Sequence, residues 1–109
     1  MSRITTHVLD TVLGKPAAEV PVTLQIRNQA DWITIASGIT DADGRCAHLA
    51  SDASQGLYRL TFDTSAYFAG HRRTSIYPEV QIVFNCSGDA HYHLPLLLSD
   101  NSYTTYRGS

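Results

Sequence analysis

Apolar and polar side chains alternate over residues 20–27, with Val20, Val22, Leu24 and Ile26 on one side and Thr23, Gln25 and Arg27 on the other. A period of two belongs to a strand with one face in a core and the other in solvent. Residues 56–62 repeat it, setting Tyr58, Leu60 and Phe62 against Leu57, Arg59 and Thr61. Residues 91–98 do so again, with Tyr92, Leu94, Leu96 and Leu98 opposite His91, His93, Pro95 and Leu97. Segments 4–11, 32–39, 45–49, 79–85 and 102–107 complete the set of predicted strands. Between them fall turn signals: Gly14-Lys15-Pro16, Asp41-Ala42-Asp43-Gly44 with Gly44 suited to positive φ, and Cys86-Ser87-Gly88-Asp89. Residues 63–70 differ, because Asp63 or Thr64 can cap a helix and Gly70 can end one. The pattern predicts an all-β fold, an antiparallel β-sandwich of about eight strands with one short helix, as a single domain over residues 1–109.

The alternation also assigns directions. If Tyr92, Leu94, Leu96 and Leu98 face the core, His91 and His93 point outward. If Ile4 and Val8 are core, His7 points outward with Thr5 and Leu9.

Composition narrows the function classes. The 109-residue chain is 43% hydrophobic and 17% charged, enough apolar content for a core and too little charge for a disordered chain. Lys and Arg number 8 against 10 Asp and Glu, a net charge of −2. That gives no basic surplus for a nucleic-acid backbone. No apolar run approaches the roughly 20 residues of a membrane helix. The amino end lacks the apolar stretch of a secretory signal, so the expected location is cytoplasmic. Cys46 and Cys86 belong to no Cys-x-x-Cys pair and read as free thiols.

Five histidines offer the main chemistry. His91-x-His93 puts two imidazoles on one strand face, as a metal site with His7 or His48 as third ligand would need, or as two solvated histidines near a turn. His7 and Arg45, taken alone, read as ordinary surface residues. The carboxyl end, Tyr106-Arg107-Gly108-Ser109, is unusual in carrying Tyr and Arg where chains commonly fray.

Taken together, Thr6-His7-Val8-Leu9-Asp10, Asp43-Gly44-Arg45, Tyr77-Pro78-Glu79-Val80, the run from His91 to Ser99 and the terminal Tyr106-Arg107-Gly108-Ser109 make the chain resemble the 5-hydroxyisourate hydrolases of the transthyretin-related family. The likeness spans nearly the whole sequence, and the terminal tetrapeptide is its most specific element, separating the hydrolases from transthyretin proper. The resemblance implies a two-sheet sandwich and a homotetramer, a dimer of dimers, with sites at subunit interfaces. It implies a purine-derived small-molecule substrate, 5-hydroxyisourate, opened by water to 2-oxo-4-hydroxy-4-carboxy-5-ureidoimidazoline in urate degradation to allantoin. It places catalysis on His7, Arg45 and His93 and substrate binding on Tyr106, Arg107, Gly108 and Ser109. No metal or organic cofactor is implied, nor any nucleic-acid or membrane partner. Which histidine is the base stays open at this level. The chain departs from the family at Ser99-Asp100-Asn101, where relatives carry Pro-Tyr in a turn at the dimer interface. The alternative function is a non-enzymatic carrier of a small aromatic ligand, as in transthyretin. A carrier would keep apolar or small side chains where this chain has His7, Arg45, His93 and Tyr106.

Overall fold

A computed structural model of the protein describes residues 1–108, with the side chains of Ala47 and His48 outside the described set. The strands run Ser2–Asp10 (β1), Lys15–Pro16 (β2), Pro21–Asn28 (β3), Asp31–Ile39 (β4), Arg45–Ala53 (β5), Gly56–Phe62 (β6), Val80–Cys86 (β7), His91–Ser99 (β8) and Ser102–Thr105 (β9). One helix, α1, spans Thr64–Gly70. The strands form two sheets. One has the order β2-β1-β8-β9 with β5 also on β1; the other has the order β4-β3-β6-β7. The predicted sandwich with a single short helix is therefore what forms. Among the described residues no helix is long and apolar enough to cross a membrane.

The core lies between the sheets and follows the predicted alternation. Ile4 and Val8 of β1 and Leu94, Leu96 and Leu98 of β8 meet Val22 and Leu24 of β3, Tyr58, Leu60 and Phe62 of β6, and Val80 of β7, all buried. A fully buried side chain of this size contributes about 1.5–3 kcal/mol relative to exposure. Asp63 caps α1, its carboxylate accepting from the Ala66 N–H at 3.2 Å, and the helix turns Tyr67 and Phe68 into the core.

The structure departs from expectation in several places. The Gly14-Lys15-Pro16 break holds a two-residue strand, because Lys15 and Pro16 pair back onto Asp10 and Leu9. Strand β5 runs on to Ala53, its pairing with β1 carrying it through Ser51 and Asp52, which give no strand signal. The pairing of β1 with β8 is parallel, in an otherwise antiparallel set. No hairpin joins these two strands, so no turn dictates their direction. The helix ends at Gly70 as expected, with His71 as its cap and Arg72 at φ +55°.

The 41–44 turn carries the chain from one sheet to the other. The Asp41 carboxylate accepts from the N–H groups of Asp43 and Arg45, and its carbonyl accepts from Gly44. Gly44 has φ +77°, and a Cβ there would lie 2.3 Å from the Val8 carbonyl oxygen. Only glycine brings β5 this close to β1, with the Gly44 carbonyl accepting from the Val8 N–H at 2.7 Å.

Candidate functional site

The outer face of the five-stranded sheet gathers side chains from three adjacent strands. Thr5 lies opposite His93 and His7 opposite Pro95 in the parallel β1–β8 register, while His7 lies opposite Arg45 in the β1–β5 register. Residues two apart share a face, so Thr5, His7, Arg45, His91 and His93 all point away from the core. Arg3, Thr5, Arg45, His91 and His93 line an open pocket of about 330 Å³ there.

Within it the two imidazoles of β8 are joined through one hydroxyl. Thr5 Oγ1 lies 2.7 Å from His91 Nε2 and 2.7 Å from His93 Nδ1. Arg3 extends the chain, its Nη2 at 3.1 Å from His91 Nδ1. Burial lowers the pKa of His93, and the neighbouring positive charges of His91, Arg45 and His7 lower it further. His91 is lowered in the same way, by burial and by Arg3. Both effects favour the neutral ring over the charged one.

His7 stands beside Arg45 in the strand pairing but does not itself line the pocket. Its Nε2–H donates to the Asp43 carbonyl at 2.8 Å, which fixes the ring against the 41–44 turn. The carboxyl end returns to the same face. The Gly108 N–H donates to the His93 carbonyl at 2.7 Å, and a Cβ on Gly108 would lie 2.7 Å from His93 Cδ2. The predicted last strand stops at Thr105, yet this bridge keeps the tail in register with β8. In that register Tyr106 shares the outer face with His93 and is 52% exposed. Arg107 falls on the other side of the tail, its guanidinium 4.3 Å from the ring of Tyr92. Strand alternation thus separates Arg107 from the pocket, and Ser109 lies outside the described residues.

Among the described residues no three His, Cys, Asp or Glu side chains gather as a metal site would require. His91 and His93 are engaged with Thr5, and the side chain of His48 lies outside the described set. Cys46 and Cys86 are buried free thiols, and burial together with Asp41 pushes the Cys46 thiol up, away from the reactive thiolate. The pattern of residues gave Arg3 and Thr5 no part in the site. The available signal was parity, since both share a face of β1 with His7.

The two sheets and this polar, imidazole-bearing outer face define a transthyretin-type β-sandwich. The structure matches that of transthyretin from Sparus aurata with a TM-score of 0.92, at 35% identity over 96% of this chain and 95% of that one. It matches the 5-hydroxyisourate hydrolase of Klebsiella pneumoniae with a TM-score of 0.87, at 39% identity over 100% of this chain and 94% of that one. In sequence it is 43% identical to the 5-hydroxyisourate hydrolase of Mus musculus, over 99% of this chain and 96% of the mouse protein. The chain belongs to the HIUase/Transthyretin family, whose sequence pattern matches residues 4–108.

Proposed function

We propose that the protein hydrolyses 5-hydroxyisourate to 2-oxo-4-hydroxy-4-carboxy-5-ureidoimidazoline, a step in the degradation of urate to allantoin. Water attacks a ring carbonyl carbon, the C–N bond breaks, and the leaving nitrogen gains a proton. One residue set serves these needs. His7 is the general base or orients the water, and His93 is its partner or the proton donor to nitrogen. Arg45 holds the flat, partly anionic substrate and the oxyanion with its planar donor fork. Tyr106 closes one wall of the site beside Gly108, and Arg107, on leaving Tyr92, hydrogen-bonds the substrate's carbonyl and N–H groups together with Ser109. A water mechanism needs no covalent nucleophile and no cofactor.

The observation that carries this reading is the chemical character of the sheet face. Arg45, His91 and His93 line one pocket, with His7 paired to Arg45 at its margin. A carrier of an aromatic ligand would place apolar or small side chains there. The relatives named as hydrolases, matching along nearly the whole chain, support the same choice.

The proposed assembly is a homotetramer, a dimer of dimers with sites where outer sheet faces meet. Exposed Val12, Leu13, Tyr77 and Tyr103 and the outermost position of β7 and β9 in their sheets favour such partners.

The test generates 5-hydroxyisourate in place from urate and urate oxidase and follows its ultraviolet absorbance. The protein should accelerate decay, and His7→Ala should remove about 10²–10⁴ of that acceleration. Fast decay that survives His7→Ala moves the base to His93. Decay at the spontaneous rate with folded protein overturns the hydrolase and brings the carrier forward.

A further inference from the structure

We propose that Arg3, His91 and Thr5 are positioning residues that fix the tautomer of His93, committing Nδ1 as a hydrogen-bond acceptor and leaving the ring proton on Nε2. The inference follows from which atoms can donate. A guanidinium only donates, so His91 Nδ1, 3.1 Å from Arg3 Nη2, is the bare nitrogen of that ring. Neutral His91 then carries its proton on Nε2 and donates it to Thr5 Oγ1 at 2.7 Å. Thr5 has one hydroxyl hydrogen left to place. His93 Nδ1, also at 2.7 Å, is its acceptor. Were Nδ1 protonated instead, both imidazoles would donate to one hydroxyl whose own hydrogen had no partner among the described residues. The chain therefore reads Arg3 to His91 to Thr5 to His93, each link donating in the same direction. Neutral rings are its precondition. Burial favours them at both histidines, and so do Arg3 beside His91 and Arg45 beside His93.

His7 has the opposite polarity. A carbonyl only accepts, so His7 Nε2 carries a proton, facing Asp43, and in the neutral ring Nδ1 is the free acceptor. The two histidines placed in catalysis thus enter the reaction unlike: His7 as an acceptor and His93 as a hydrogen-bond donor through Nε2–H. This division of roles rests on the hydrolytic reading above; the tautomers themselves do not.

The test separates the two. Long-range ¹H–¹⁵N correlation spectra of substrate-free protein labelled at histidine report which ring nitrogen carries the proton, and His93→Gln identifies the His93 signals. The unsubstituted protein should have His93 in the Nε2–H form. Thr5→Val, which removes the hydroxyl and keeps the shape, should lose that preference and lower kcat about tenfold with KM little changed, the size expected for one well-placed hydrogen bond. Thr5→Ser should restore both. An Nδ1–H form in the unsubstituted protein overturns the proposal, as does a Thr5→Val protein with an unaltered His93 spectrum. If the unsubstituted protein shows the Nε2–H form without accelerating substrate decay, the tautomer assignment stands and the hydrolytic reading falls.

Discussion

An imidazole on a strand face takes its role from what its two nitrogens touch. His7 and His93 stand on adjacent strands with the same outward direction, yet Asp43 holds one ring by Nε2 and Thr5 holds the other by Nδ1. Gly108 completes the second case from the opposite side. Its N–H engages the His93 backbone, and the missing Cβ leaves the ring its place. Gly108→Ala forces the imidazole or the tail to move by several tenths of an ångström. Stability should scarcely change, because the residue lies in a half-buried tail beyond the last strand. Catalysis should suffer about ten- to a hundredfold, since misplacement of a reacting group is felt steeply. Steady-state kinetics beside a urea unfolding curve check both halves; lost stability with intact turnover would make Gly108 a structural residue only.

At the scale of elements, the most consequential contact lies away from the pocket. Asp10 ends β1 with its carboxylate fully buried. Burial alone would raise its pKa, but Arg73, the Tyr67 hydroxyl at 2.6 Å and the Leu13 N–H outweigh that and hold it at about 2. Arg73 also binds Asp100 through Nε and Nη2, and Asn101 accepts from the Ile76 N–H. Asp100 and Asn101 therefore tie the β8–β9 connection to the segment after α1. Arg73→Leu leaves a buried carboxylate without its cation and should cost about 3 kcal/mol of stability at neutral pH. The sign of the pH dependence follows from the depressed pKa. The native contribution is complete above the ordinary carboxylate range and is lost as pH falls through about 4 toward 2. The gap between native protein and variant should therefore be widest near pH 7 and narrow below about pH 4. Urea denaturation across that range measures it, and a gap independent of pH would remove Asp10 from the account.

For the whole molecule, the pocket is open and His7 stands at its margin. A surface this polar gains catalytic force when a second sheet face covers it, because exclusion of water strengthens each hydrogen bond within. The proposed tetramer supplies that cover. Sedimentation should give a species of four times the 12.0 kDa chain mass. Substitution of exposed Leu13 by Glu should weaken assembly and activity together, leaving the fold of each chain intact; a fully active single chain would refute the need for a shared site.

By itself the sequence determined most of the strands and the facing of their side chains, a helix start at Asp63 or Thr64 and the glycine turn at Gly44. These are local matters, set by alternation, by a capping carboxylate and by a backbone angle that only glycine takes without strain. The outward direction of His7, His91 and His93 was legible for the same reason. Tertiary structure alone decided who meets whom. The parallel pairing of β1 with β8 sets Thr5 beside His93, and the same pairing carries Arg3 to His91. Arg73 reaches Asp10 and Asp100 from the far side of α1. Hydrogen bonds between residues this distant along the chain leave no periodic trace in it, because each partner obeys only its own strand's alternation. The protonation state of His93 therefore belongs to the folded arrangement.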